Sequence, residues 1–515
     1  MARPIHEIAA GLEPARAGVP LRRGTRLHVI GIGGTAALAA ALHARALGLE
    51  VSGYDQSLSA STAAMLDGAA IPIGSVVGEL ASQAWTPLSN GSLVAISKAI
   101  TSTQPDHPEV VAARDAGAHL VSVQQVLADA AATRGGPLIG VAGTHGKTTS
   151  TGWVLDALLR SGKDLSAFVG GPLAAGIGMP ERSPVHLGSE PGFVVEADEY
   201  GGNFDPYRAD LALVLNVDWD HPDVFENRGA AVATFARWAA HPASKGLLFV
   251  NVGDPGGREL VTALRGFGSK HLFTLTTASG AQDADADIVG ALHPRGGGRF
   301  GVTIAHLSPR VQVAAPALAE LRGAPLDIGL RGAHNAVNAV GVAALAAGCG
   351  ASAHGIANSL ASFAGVGRRM EVRYDRNAIT VLDDYGHHPT AIDATIATVR
   401  EQFPDRTLIL AIEPLTFHRT AALLEGLARS CSAADRVVVA DIFAVRDLDT
   451  TSVTPADLAS RIVALGTPAT APGSVLETAA ALLPTIESGS VVLVMGGGRS
   501  TELAGALAEG LRSAP

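Results

Sequence analysis

A glycine-rich run, Gly140-Val141-Ala142-Gly143-Thr144-His145-Gly146-Lys147-Thr148-Thr149, narrows the possible folds of this 515-residue chain more than any other stretch. The apolar segment Pro137 to Val141 reads as a buried strand. Trp153, Leu155, Leu158 and Leu159 fall on the amphipathic pattern of a helix, so the glycines lie at a strand-to-helix turn of an α/β domain. Such a turn suits a phosphate. Backbone N–H groups can close around phosphate oxygens and the helix N-terminus adds partial positive charge. Lys147 supplies a cation and the Thr148 hydroxyl can face Mg²⁺. The strict P-loop pattern asks for glycine six places before Lys147, where Val141 stands; the variant Gly-Thr-x-Gly-Lys-Thr-Thr fits. The plain alternative is Gly-Lys-Thr in a surface turn.

That variant resembles the ATP loop of the Mur ligase family, ATP-dependent enzymes that build the peptide of bacterial cell-wall precursors. The resemblance implies ATP and Mg²⁺ as cofactors. It implies Gly143, Thr144, His145, Gly146, Lys147, Thr148 and Thr149 as ATP contacts. The fold it implies has three α/β domains: a Rossmann-like first domain, a central P-loop ATPase-type domain with a mostly parallel sheet, and a Rossmann-like last domain. Length alone suggests the same number of domains. The expected divisions are a tail over 1–24, a UDP-sugar domain over 25–132, the ATP domain over 133–362 and a closing, amino-acid-binding domain over 363–515.

Composition removes several other classes. A net charge of −10 spread along the chain opposes binding to nucleic acid or an anionic membrane. Two distant cysteines, Cys349 and Cys431, make neither a disulfide framework nor a zinc knuckle. No apolar run is long enough for a membrane span, so a cytoplasmic protein, monomeric or weakly dimeric, is expected. The first 24 residues, with prolines and closely spaced arginines, read as a loosely held tail.

Arg26 to Ile30 reads as a strand, followed by Gly31-Ile32-Gly33-Gly34-Thr35-Ala36, an alanine-rich helix and a strand ending at Asp55. This is the layout of a dinucleotide fingerprint, with the acid about twenty residues on. An NAD site or a plain tight turn would each account for it. The next loop, with Ser97-Lys98-Ala99-Ile100, resembles the family's sugar-nucleotide segment. On that resemblance Gly31, Ile32, Gly33, Gly34, Asp55, Ser97 and Lys98 contact a UDP-sugar. Lys98 departs from the family's usual serine and puts an extra charge near that ligand.

In the central domain, Phe193 to Tyr200 reads as a buried strand that delivers Glu196, Asp198 and Glu199 at its C-terminal end, where ligands bind in open α/β sheets. Acids so closely spaced repel one another unless a cation neutralises them. Similarity to the family makes Thr148, Glu196 and His221 the metal ligands, with Asp198 and Glu199 as second choices. It also makes His334, Asn335 and Asn338 adenine-side contacts, although an Asn pair at a helix start could simply cap it.

The segments Gly367-Arg368-Arg369-Met370 and Asp383-Asp384-Tyr385-Gly386-His387-His388-Pro389 look like the family's linker and the start of its third domain. The resemblance gives Arg369 to the γ-phosphate, Asp384 to the ATP side, and His387 and His388 to the incoming substrates. Catalysis would rest on Lys147, Glu196, His221, Arg369 and His388. The implied substrates are UDP-N-acetylmuramate and an amino acid, joined through an acyl phosphate. After Pro414 this chain has Leu415 and Thr416 where alanine-adding members carry His and Arg. That change leaves open a homologue that binds nucleotide without ligating; the segment Glu196 to Tyr200 and the region after Tyr54 also resemble a ligase that recycles murein peptides, and an NAD-dependent oxidoreductase is a third alternative.

Overall fold

The computed structural model describes residues 3–74, 92–174, 176–178, 182–265, 271–277, 285–445, 447 and 449–513. Three sheets organise it. The first is wholly parallel, in the order Ile73–Gly74, Glu50–Tyr54, Arg26–Ile30, Leu93–Ile96, His119–Ser122. The second has ten strands and a parallel centre in which Leu138–Ala142 lies between Leu211–Val214 and Glu190–Ala197. The third places Ile379–Asp384, Ser490–Gly496, Thr407–Glu413 and Arg436–Ala440 side by side in parallel, with antiparallel Glu371–Arg376 at one edge. Parallel strands buried on both faces explain why apolar runs such as Val491 to Met495 show no alternation.

The cores differ in how they join. One apolar cluster runs from Leu27, Leu38 and Val126 of the first domain into Phe193, Phe204 and Trp238 of the second. His43, wholly buried, reaches Ala167 O at 3.0 Å across the same boundary. The third domain has clusters of its own, around Leu410 and Leu493 on one face of its sheet and Val438 and Val492 on the other. Ion pairs and hydrogen bonds such as Arg419–Asp220 and Thr390–Asp218 join it to the central domain at the cleft.

The N-terminal segment is not a loose tail. Ile8 is fully buried, its carbonyl accepts from Thr101 Oγ1 at 2.6 Å, and Arg16 grips Asp129 with both terminal nitrogens at 2.7 and 2.9 Å. Glu13 N donates to Leu120 O, and Arg3 N donates to Asp223 O in the central domain. Its prolines and arginines read as a loose tail because pairing partners more than ninety residues away leave no local pattern.

Candidate active site

The strand Leu138–Ala142 ends at Gly143 and the helix Lys147–Arg160 begins at Gly146, so the loop between them lies at the C-terminal edge of the central sheet. Gly146 has φ of +80°, and a Cβ there would meet Asn338 Nδ2 at 2.8 Å; only glycine fits. Asn216 shapes the loop by accepting from His145 N at 2.8 Å and donating to His145 O at 3.0 Å. Thr144 Oγ1 accepts from Asp218 N at 2.9 Å. Thr148 and Thr149, in the first helical turn, line the same cavity.

Lys147 Nζ curls back onto Gly143 O at 2.6 Å and pairs with Glu199 Oε2 at 2.8 Å, with Asp198 at 3.6 Å. Burial alone would pull the lysine pKa down; Glu199, Asp198 and Glu196 outweigh it and hold it above its ordinary value. Burial pushes the Glu199 carboxyl up to about 7 and raises Glu196 too, each partly restrained by Lys147. Glu196 accepts from Thr148 Oγ1 at 3.0 Å and from Gly170 N at 2.7 Å. Arg369 Nη2 reaches the same hydroxyl, Thr148 Oγ1, at 3.3 Å from the third domain. Lys147, Glu196 and Arg369 thus converge on one cavity of about 1120 Å³.

The expected metal set divides in two. Thr148 and Glu196 are hydrogen-bonded to each other, whereas His221 presents a ligand atom within 4.8 Å of Asp198 and Glu199. The residues ranked second in the sequence are therefore the neighbours of His221, because the chain turns at Tyr200–Gly202 and brings Asp198 and Glu199 toward the 218–223 loop. Both groups carry hard oxygen ligands, and their crowded carboxylates suit a divalent cation.

Strain marks the loops that meet here. His221, Thr416, Arg368 and Met370 all have left-handed φ between +54° and +63°, unusual for residues with a Cβ and concentrated at functional sites in general. Arg368 and Met370 flank Arg369, so the linker backbone is bent where it delivers that guanidinium. Asp384 lines the cavity, yet its oxygens accept from Met370 N at 2.9 Å and Gly386 N at 2.8 Å, which fixes the linker. His334, Asn335 and Asn338 line the cavity on one face of the helix Ala333–Gly348. Asn335 donates to Arg331 O at 2.7 Å rather than capping its own helix.

The 218–223 loop clasps the third domain. Thr390 Oγ1 donates to Asp218 at 2.8 Å, His388 Nε2 lies 3.2 Å from Trp219 O, Arg419 pairs with Asp220 at 2.8 Å, and His418 Nε2 meets Asp223 at 3.1 Å. His387 is half-buried near Arg419 and Asp220, and desolvation together with the Arg419 charge pushes its pKa well below the ordinary imidazole value. Arg419, five residues past Pro414, is 2% exposed. Its Nε and Nη1 find no acceptor among the described residues. A buried guanidinium with spare donors has the geometry to receive a carboxylate, and only the assembled cleft reveals it.

In the first domain Gly31 N and Ile32 N donate to Tyr54 O, and Gly33 N donates to Asp55 Oδ2 at 2.8 Å. Gly34 caps the helix Thr35–Ala46, and Thr35 and Ala99 reach the central cavity. Ser97 caps the next helix. Lys98 corrects its sequence reading: its side chain is 5% exposed and its ammonium donates to Gly201 O at 2.8 Å, spent on the junction with the central domain. Burial lowers its pKa to about 8, against the pull of Asp205 and Asp198.

Three family models match this chain in succession: "Mur ligase family, catalytic domain" over 26–134, "Mur ligase middle domain" over 141–346, and "Mur ligase, glutamate ligase domain" over 368–498. The chain belongs to the Mur ligase family. The UDP-N-acetylmuramate–L-alanine ligase of Mycolicibacterium vanbaalenii is 34% identical over 93% of this Mur ligase and 94% of its own length. That of Laribacter hongkongensis is 32% identical over 93% and 97%. Among solved structures, the UDP-N-acetylmuramate-alanine ligase of Thermotoga maritima superposes with a TM-score of 0.74 at 22% identity, over 95% of this chain and 99% of that one. A murein peptide ligase from Psychrobacter arcticus superposes at 0.70 and 24%, over 96% and 100%, and shares the fold.

Proposed function

We propose that this Mur ligase joins L-alanine to UDP-N-acetylmuramate at the expense of ATP, in peptidoglycan precursor synthesis. The sugar acid's carboxylate attacks the γ-phosphorus of ATP and ADP leaves. The amine of the amino acid then adds to the acyl phosphate, phosphate departs, and the amine loses a proton as the amide forms. The observation that carries this reading is the meeting of Lys147, Glu196 and Arg369 around Thr148, from two domains, at the mouth of a glycine loop.

Phosphoryl transfer spreads charge over the equatorial oxygens, so the protein contributes position and neutralisation rather than a nucleophile. Lys147 and the N-terminus of the helix Lys147–Arg160 serve the phosphates, and Arg369 adds a cation once the third domain has closed. Thr148 with Glu196, and His221 with Asp198 and Glu199, are the residues that would hold Mg²⁺. That ion would screen the negative oxygens of the nucleotide. His334, Asn335 and Asn338 serve the adenine side. The turn Gly31–Gly34 and the start of the helix Thr35–Ala46 serve the UDP diphosphate. Arg419 offers its spare N–H groups to the amino acid's carboxylate, the part that His and Arg at 415 and 416 were expected to play. Closure keeps water from the acyl phosphate.

Phosphate release with UDP-N-acetylmuramate, ATP and a panel of L-amino acids and murein peptides tests the reading. L-alanine should give the highest kcat/KM. Preference for a preformed peptide would move the chain to peptide recycling, and no turnover with any amine would refute ligation.

A further inference from the structure

A second cluster of ligand-bearing side chains lies beside the phosphate loop. His145 comes from the loop itself, Asp218 from the end of the neighbouring strand connection, and His388 from the third domain. One ligand atom of each lies within 4.8 Å of the other two. His145 Nε2 is 3.6 Å from Asp218 Oδ2, and the two imidazole rings have centroids 4.7 Å apart. His145 Nε2 is buried with no partner inside hydrogen-bond distance, and an orphaned buried nitrogen calls for an explanation.

We propose that His145, Asp218 and His388 form a site for a borderline divalent cation of the zinc class, which bridges the central and third domains and holds the cleft shut. The donor set is two imidazoles and one carboxylate, which Zn²⁺ accepts with a fourth position left to water, whereas Mg²⁺ prefers oxygen alone. Metal–nitrogen and metal–oxygen bonds of about 2.0–2.2 Å put tetrahedral ligand atoms a little over 3 Å apart, so the His145–Asp218 pair at 3.6 Å needs only a small contraction and the third ligand, within 4.8 Å, must draw in further. The surroundings are those of a ligating histidine. His388 Nε2 faces Trp219 O at 3.2 Å, and its Nδ1 accepts a long 3.3 Å bond from Thr390 N as the cap of the helix Pro389–Gln402, a bond that a metal at Nδ1 would replace. Asp218 is oriented by Trp219 N on one oxygen and by Thr390 Oγ1 on the other. The cluster contains neither Glu196 nor His221. The inference stands on this geometry and survives even if the amino acid or the ligation reading is wrong.

The test uses the full-length protein without nucleotide and Zn²⁺ alone as probe. Affinity is measured by competition with a chromogenic chelator, and closure by the X-ray scattering radius of gyration. Wild type should bind one Zn²⁺ more tightly than any other, become more compact on binding, and resist displacement by millimolar Mg²⁺. Asp218→Asn, His145→Gln and His388→Ala should each weaken that binding at least about 30-fold. His221→Gln, which alters the other cluster, should stay within about threefold. Circular dichroism checks the fold of each variant; because Asp218→Asn keeps shape and most hydrogen bonds, it remains decisive if His388→Ala unfolds. Loss that follows His221→Gln instead, equal affinity in all variants, or binding without compaction would each overturn the proposal.

Discussion

Replacing Arg419 by methionine tests whether the third domain is held over the nucleotide by a buried charge pair. Arg419 and Asp220 are 2% and 8% exposed and 2.8 Å apart, and the same guanidinium lies 3.0 Å from His221 Nδ1. Arg419 keeps the Asp220 carboxyl far below its usual pKa against the effect of burial. Removing one partner of a buried pair costs about 3–5 kcal/mol, because the remaining charge is stranded. The two residues belong to domains with separate cores, so this cost falls on closing rather than on folding. At about 1.4 kcal/mol per factor of ten, the closed population and kcat should fall roughly 100- to 4,000-fold. Asp220→Asn keeps the shape but removes the charge and should cost less. The double variant should lose less than the sum, with a coupling of about 2 kcal/mol. Arg419→Met alone should also raise KM for the amino acid, since it removes the spare donors. The assay is steady-state phosphate release, paired with scattering in the presence of nucleotide. An additive cycle, or a kcat for Arg419→Met within threefold of wild type, would refute the clasp.

Lys147→Met should lower kcat by at least about 10³-fold, as loss of a preorganised cation at a transferring phosphate generally does, and a trapped-nucleotide binding assay should still detect a folded protein. Gly33→Ala would place a Cβ 2.8 Å from Asp55 Oδ2 and 2.9 Å from Leu58 Cδ2, so KM for the sugar nucleotide should rise about tenfold with KM for ATP unchanged. Lys98 titrates near 8 when folded and near 10.5 when unfolded, so between those values the unfolded state holds a proton the folded state has shed, and stability rises with pH. Lys98→Met should therefore gain most over wild type at pH 7 and lose that gain by about pH 10, by an amount on the order of 3 kcal/mol. A thermal-unfolding difference that does not change with pH would contradict it.

The sequence made the phosphate loop legible because its strand, glycines and helix follow one another from Leu138 to Arg160, although Asn216 and Asp218 complete the loop from some seventy residues on. The same holds for the glycine turn at Gly31 and the strand Glu190–Ala197. What stayed hidden depends on distant partners. The N-terminal segment is fixed by residues near 101 and 129, and Lys98 by a carbonyl at 201. The resemblance to the family set His221 beside Glu196, and the structure brings a ligand atom of His221 within 4.8 Å of Asp198 and Glu199, a proximity that no local pattern announces. The departure at Leu415 and Thr416 looked like lost chemistry when read along the chain. In three dimensions Thr416 is fully buried with left-handed φ, capping the short helix that carries Arg419 into the cleft. A substitution that removes two cations from a motif therefore leaves one buried cation with unused donors a few residues on. If Arg419 is the carboxylate anchor, restoring His and Arg at 415 and 416 should not improve kcat/KM for L-alanine, because the larger side chains would crowd Phe443, whose backbone brackets this turn.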